Sequence, residues 1–285
     1  MAYNDGTDPT LAELITAKFI PEKFSKDVLM HTMSNLVVAG RVNTTYRKDL
    51  TFGYKVSIPV MSEVTDTEVT PGTVPTARDA AGTPVSITVD QWREASVELS
   101  DMANIEDPVG YLNWAAKSCS YRISKRIDTV LGALFSDLAS SSIYGSDGQT
   151  LTDDILLAIM ETLDEADVPE DDRSIICDPS SKGDLLKIDK FVRNDYVREP
   201  VVPTGKFGNI YNMGVFITNN LTAASTGNYG VMMHRDALGL VMQMQPRARA
   251  VVMPGQFRTL FIVDTIFGVG ELRDVYGKSF YTRSS

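Results

Sequence analysis

Between residues 107 and 139 the apolar positions step by threes and fours: Leu112, Ala116, Cys119, Ile123, Ile127, Val130, Leu134 and Leu138. That spacing puts them on one face of an α-helix. Asp107-Pro108 is a good start for it. The carboxylate accepts from orphan backbone N–H groups, and proline at the first helical position forfeits no hydrogen bond. Lys117, Arg122, Lys125, Arg126 and Asp128 fall on the other face. At 1.5 Å per residue the segment makes a rod of roughly 45 Å, a spine for the rest of the chain.

Ahead of the spine the period shortens to two. From Phe52, the apolar Tyr54, Val56, Ile58 and Val60 alternate with Lys55, Ser57 and Pro59. Residues 65–83 are polar and carry Pro71-Gly72, Pro75 and Gly82; alternation then resumes at Val85, Ile87 and Val89, and again at Ala95, Val97 and Leu99. The pattern predicts two long strands joined by a Pro/Gly-rich tip, a hairpin over residues 52–99. At ~3.3 Å per residue the second arm alone spans about 50 Å. Two strands with little covering them are marginal in water and expose unpaired backbone groups. Such a ribbon either lies across a neighbouring copy of the chain or folds back onto its own core, and the pattern leaves both open.

Two short amphipathic helices precede the hairpin, one with Leu11, Leu14, Ile15 and Phe19, the other with Phe24, Val28, Leu29 and Leu36; Pro21 separates them. After the spine, Thr152 caps a helix with Asp153 and Asp154 at its positive end and Ile155, Ile159, Leu163 and Ala166 on its apolar face. Residues 174–177 read as a buried strand stopped by Asp178-Pro179, and a further helix covers 181–191. Strands follow at 215–218, 229–234, 240–244, 250–253, 259–265 and 276–281, with a turn at 235–238. The result is an α+β chain with no internal repeat.

Composition narrows the function by exclusion. Apolar residues make up 43% and charged residues 22%, as in an ordinary globular protein. A net charge of −10 disfavours nonspecific nucleic-acid binding by the surface as a whole, though not by a local basic face. Cys119 and Cys177 lack CxxC neighbours and sit in apolar contexts, which suggests reduced, buried thiols and a cytosolic history. There is no 18-residue apolar run to cross a membrane, and residues 1–10 lack the basic and apolar regions of a signal peptide.

Catalytic patterns are missing too. GxxxxGK[ST], GxSxG and HExxH do not occur, and Gly268-Val269-Gly270 runs on into Glu-Leu-Arg inside a β pattern. His31 and His234 are the only histidines. The acidic run from Asp164 to Asp172 lacks the central glycine and terminal glutamate of a calcium loop and reads as a solvated helix end. The strip Lys117, Arg122, Lys125 and Arg126 is either a face for sequence-independent contact with nucleic acid or a plain solvated or inter-subunit face.

The order of parts is more specific than any short motif. A helical arm, a long hairpin with a loose tip, a spine helix, a mixed α/β region and late strands succeed one another. That order resembles the major capsid proteins of tailed bacteriophages, whose fold is shared with encapsulin shells and the herpesvirus capsid floor. Local stretches agree: Ile175-Ile176-Cys177-Asp178-Pro179 before the helix holding Leu185-Leu186, residues 208–221 from Gly208-Asn209 to Asn220-Leu221, Val231-Met232-Met233-His234-Arg235-Asp236-Ala237-Leu238, and Phe267-Gly268-Val269-Gly270-Glu271-Leu272-Arg273. The likeness runs from Leu11 to Tyr281. Members of the family often carry a scaffolding segment of about a hundred residues ahead of the arm; here the arm pattern begins almost at once, which leaves open a separate scaffolding protein, and no lysine–asparagine crosslink pair is assigned.

The resemblance implies an N-terminal arm and lead-in at 1–49, an extended hairpin loop at 50–100 and a peripheral domain with the spine helix at 101–140. An axial domain at 141–228, strands returning to the peripheral domain at 229–262 and C-terminal axial strands at 263–285 complete it. It implies a coat protein, not an enzyme, without cofactor or metal, that self-assembles into hexamers and pentamers of an icosahedral shell around double-stranded DNA. Portal, scaffolding and decoration proteins are the further partners, with no membrane, and the expected location is the virion capsid, assembled in the host cytoplasm. Arg78 and Asp79 at the hairpin tip are the candidates for inter-subunit pairing, and Lys117, Arg122, Lys125 and Arg126 for contact with DNA. Competing readings are an encapsulin-like nanocompartment shell and a soluble α/β hydrolase using an acidic pair.

Overall fold

The computed structural model describes residues 37–48, 53–61, 66, 68, 72, 74, 82–102, 111–138, 143–192 and 209–283. The two N-terminal helices, the helix start at Asp107-Pro108, most of the hairpin tip and the loop around Pro200 lie outside the described residues.

Two sheets flank one long helix. Strands β1 (Lys55–Ile58) and β2 (Val85–Thr88) form the hairpin; β3 (Gln91–Ser100) then leads to α1 (Tyr111–Ala133), and α2 (Asp153–Glu165) to β4 (Arg173–Cys177). Short helices α3 (Pro179–Leu185) and α4 (Asp189–Val192) follow, then β5 (Asn209–Ile210), β6 (Met213–Ile217), β7 (Gly227–His234), β8 (Leu238–Met253), β9 (Arg258–Glu271) and β10 (Gly277–Arg283). A five-stranded sheet has the order β10-β7-β4-β6-β5, and a three-stranded sheet the order β3-β9-β8.

Helix α1 has 23 residues, about 35 Å at 1.5 Å each, and ends in a tight 3₁₀ turn over Leu134–Ser136. Cys119, Ile123, Ile127 and Leu138 are buried in the largest core cluster, as the periodicity predicts, but toward the end of the helix the buried positions are Leu131 and Phe135, with the predicted Val130 and Leu134 only partly buried beside them. Asp128 is a correction. Placed on the polar face by the sequence, its side chain is fully buried and accepts the backbone N–H of Val37 at 2.8 Å and of Ala39 at 2.9 Å. The carboxylate thus clasps the lead-in segment, seating Val38 and Val42 in the same core.

The five-stranded sheet is covered on both faces, so its central strands are apolar without alternation. All five residues of β4 are buried. Ile175, Cys177 and Met232 face Leu156, Ile159 and Leu163 of α2, whereas Ile176, Val231 and Met233 face the core around α1. The apolar face of α2 is therefore centred on Leu156, and Ala166 lies exposed beyond its end. Thr152 occupies the N-cap position but makes no side-chain capping bond. The helix read at 181–191 is two pieces and begins at Pro179, because Asp178 is its N-cap and accepts from the Ser181 N–H at 3.1 Å.

Cys177 is completely buried in this sheet, and burial, with the Asp178 carboxylate beside it, pushes its thiol up to about 12. Between the ordinary value of 9.0 and about 12, only the unfolded chain ionises it. This group's contribution is thus complete below pH 9 and lost as pH rises through that window. A thiol reagent near neutral pH should leave Cys177 unlabelled until the chain unfolds. Labelling at the same rate in the folded chain would contradict the burial.

The hairpin differs most from expectation. Its second arm is not one strand. Strand β2 pairs antiparallel with β1, Val56 opposite Ile87, whereas β3 leaves the ribbon and pairs over ten positions with β9, from Gln91↔Phe267 to Ser100↔Arg258. The ribbon's root lies on its own chain. Ile87 is fully buried with Val56 and Val241, in a dent lined by Gly239 and Gly270, which face each other across the ladder. A Cβ at Gly268 would come within 2.3 Å of the Thr88 carbonyl oxygen, so only glycine lets the two backbones approach this closely. The chain crosses between the two sheets at Arg235–Ala237 and Asp274–Tyr276, not at 229 and 263: β7 belongs to the five-stranded sheet, and β9 stays in the three-stranded one until Glu271.

Candidate subunit-contact surfaces

The chemistry of the buried polar groups is structural. The Nδ1 atom of His234 accepts the Asp236 N–H at 3.1 Å, and the ring packs edge-on against Tyr276 at 5.5 Å. Asp178 borders a cavity of about 280 Å³ with Thr218, Asn219, Leu221 and Asn228. Its oxygens already accept from the hydroxyls of Ser180 and Ser181, besides the cap bond. Among the described residues, no group of three His, Cys, Asp or Glu side chains could hold a metal ion. Asp164, within the acidic run, pairs with the nearly buried Arg173 at 2.7 Å.

Carboxylate–guanidinium pairs fix the sheets. Asp264, almost wholly buried on β9, accepts from Arg247 at 2.9 and 3.0 Å and from Arg249 at 3.1 Å. The Arg247 guanidinium holds its carboxyl below the usual carboxylate range, against the opposing pull of burial. At Asp184, burial pushes the carboxyl up, and bonds from Arg283 and Lys187 more than reverse it. Arg283 thereby ties β10 to α3.

The outer surfaces are of a different kind. Strand β3 is an edge of its sheet, and alongside its residues Arg93 to Val97 runs an open groove of about 540 Å³ against α1. Ser118, Cys119 and Ile123 form the helix side of the groove, and Arg122 and Arg126 flank it. Among the described residues, Arg93 contributes a third guanidinium, bonded to the Gln91 side-chain oxygen, and Glu94 is the groove's single carboxylate. The predicted basic strip is therefore divided. Lys117, Arg122 and Arg126 are exposed and Lys125 is half-buried, but Lys117 and Lys125 lie outside the groove. None of the four has an ion pair among the described residues. Arg78 and Asp79 fall outside the described residues.

Sequence reasoning missed two features here. Arg93 had no signal beyond its place on an alternating strand. Asp128 did have one: it adjoins the apolar stripe, with Ser124 and Gly132 at its i±4 positions instead of a basic partner.

Large apolar side chains also stand in solvent. Tyr54 (69% exposed) and Met61 (76%) lie on the hairpin, and Trp92 (71%) begins β3. The far ends of β8 and β9 form a second projecting ribbon that exposes Val252 and Phe257.

Comparison with known proteins fits this distribution of surfaces. The model of a family described as phage capsid protein matches residues 79–254. Among solved structures, a chain of Mycobacterium phage Che8 is similar with a TM-score of 0.78 at 20% identity, covering 92% of this chain and 97% of that one. The capsid structure of the cyanophage P-SCSP1u gives 0.75 at 16% identity, over 100% and 97%. The asymmetric unit of the bacteriophage PhiM1 mature capsid gives 0.70 at 17%, over 92% and 91%. No curated protein matches.

Proposed function

Since the chain belongs to the phage capsid protein family, we propose that its copies assemble as hexamers and pentamers into an icosahedral shell enclosing double-stranded DNA. Family and fold make it a major capsid protein, a structural protein of the virion. In this reading function resides in interfaces, not in a cleft, and the chain catalyses nothing.

The observation that carries the reading is the hairpin. Its root is anchored by Ile87 in the glycine dent, while Tyr54 and Met61 remain exposed and, among the described residues, β1 and β2 pair over four positions. A two-stranded ribbon gains stability when a third surface covers it, and a neighbouring subunit supplies that surface. The N-terminal arm ahead of the clasped lead-in straps an adjacent subunit, the five-stranded unit meets its copies at the capsomer centre, and Arg78 and Asp79 pair across the boundary. Many modest contacts per subunit then add through multivalency, and heterologous ring contacts close. Within the basic strip, Lys117 and Lys125 stand free to meet the genome by nonspecific charge attraction. Portal, scaffolding and decoration proteins are the further partners of such a shell, and the host cytoplasm is its place of assembly.

Negative-stain microscopy of the purified chain, alone and with candidate scaffolding protein, tests the reading. Closed shells are expected. A discrete small oligomer under every condition would overturn it, and shells carrying a cargo protein in place of DNA would move the chain to the nanocompartment reading.

A further inference from the structure

We propose that residues 37–46 lock the angle between the two sheets of the subunit, as a strap laid over the crossings that has to lift before the sheets can pivot. The lock is a property of the single subunit and stands apart from the shell reading.

The crossings are the natural hinge. Among the described residues the two sheets share no ladder, and the chain passes between them at Arg235–Ala237 and Asp274–Tyr276. Where the β8–β9 ladder ends, two backbone bonds tie one crossing to the other. They come from the N–H groups of Leu272 at 2.8 Å and Arg273 at 3.3 Å, and both end on the Ala237 carbonyl. Short stretches between elements are where a fold absorbs a change of backbone angle. The core that both sheets share around α1 resists their separation, but apolar contact is non-directional and allows small sliding. Polar contacts have to fix the direction.

The strap supplies such contacts to each part in turn. The N–H groups of Val37 and Ala39 hold it to Asp128 on α1. The Arg41 guanidinium then lies 3.8 Å from the centre of the Phe216 ring, on β6 of the five-stranded sheet, a cation–π contact. Asn43, two residues on, has each of its polar atoms engaged. Its backbone N–H donates to the Leu238 carbonyl and its carbonyl accepts from the Leu240 N–H, both at 2.9 Å, at the start of β8 in the three-stranded sheet. Its Nδ2 donates to Asp236 Oδ1 in the first crossing at 2.6 Å, and its Oδ1 accepts the Thr45 N–H at 2.8 Å. Tyr46 ends the strap against the cluster of Val56, Ile87 and Val241 at the hairpin root.

Arg41 and Asn43 therefore grip opposite sides of the hinge. The residue between them, Val42, is pinned in the core and takes up no slack. Two residues of chain span at most about 7 Å. A pivot that carries Phe216 away from Leu238 thus takes Arg41 off the ring or Asn43 out of its bonds.

Hydrogen exchange and a distance measurement on the unassembled full-length subunit test the lock. Arg41→Ala with Asn43→Ala removes the ring contact and the bond to Asp236 while keeping the backbone bonds. Exchange of the Leu272 and Arg273 amides should then accelerate at least ~10-fold, while the Ile175 and Ile176 amides in β4 keep their rates. Spin labels at Ser96→Cys on β3 and Glu161→Cys on α2, both exposed positions, should give a narrow distance distribution with the strap intact and a broad one without it. Cys119 and Cys177 are buried and stay unlabelled. Should the double variant fail to fold by circular dichroism, Phe216→Leu, which removes only the ring under Arg41, carries the same expectations at smaller amplitude. Exchange that rises by the same factor in β4 would reduce the strap to a contributor to global stability. Faster exchange at the crossings with an unchanged distance would be local fraying, and no change in either would leave the angle to the shared core. Each of these three results overturns the lock.

Discussion

A chain lacking residues 65–83, its strands rejoined by a two-residue turn, should fold normally and fail to close shells. Folding survives because the deletion spares the root: Val56, Ile87 and Val241 still fill the glycine dent, and Lys55↔Thr88 to Ile58↔Val85 can still pair. Closure fails because every subunit loses the same contact, and an avidity built from repeated contacts collapses when one is removed everywhere. Sedimentation should find monomers or capsomers, with a thermal unfolding midpoint close to that of the full chain. Intact shells by negative stain would show the tip to be dispensable.

The second large effect is expected at Asp128. Replacing it with alanine leaves the Val37 and Ala39 N–H groups without their acceptor and opens a hole under the lead-in segment. Hydrogen bonds to a charged acceptor contribute ~1.5–3 kcal/mol, so Asp128→Ala should cost about 2–4 kcal/mol. Asp128→Asn keeps one oxygen acceptor and should cost about half of that. Because Val38 and Val42 depend on the clasp, trypsin should cut after Arg41 faster in the alanine variant. Identical melting and cleavage would mean that the apolar contacts alone hold the segment.

These two regions also mark where the sequence speaks and where it falls silent. The spine helix is legible because its information is local: residues three and four apart share a face, so Cys119 to Leu138 declare the buried side themselves. The division of the second hairpin arm is not. Alternation runs from Val85 to Val89 and again from Ala95 to Leu99, with polar Gln91 and Arg93 in step between them, and the change of partner at Val89-Asp90 carries no glycine or proline. The partner of β3 lies more than 150 residues downstream on β9, and nothing local encodes a pairing across that distance. Strand β8 misleads in the opposite way. Pro246 reads as a break between two strands, yet one strand continues through register shifts at Met242/Met244 and Met244/Arg247. A bulge is the place where a strand tolerates proline, since the ladder needs no bond from it there.

The groove was half visible. Arg122 and Arg126 stood out as part of a basic strip, but their separation from Lys117 and Lys125 depends on where β3 runs beside α1. Gly268-Val269-Gly270 lacks the spacing of a nucleotide loop and lies in a strand; its glycines receive the hairpin, which the local sequence does not announce. Both cases have one physical cause. A residue's type shows what it is able to do, and the long-range pairing of strands decides what it meets.

The contact at Gly268 has a mechanical corollary. With two main chains touching and Ile87 locked between glycines, the ribbon has no swivel at its base. Its bearing relative to the body is set once, at folding, and each copy leaves the ribosome with the same reach and the same angle. Any change in the ribbon's direction therefore has to arise beyond the β1–β2 pairing and not at its root.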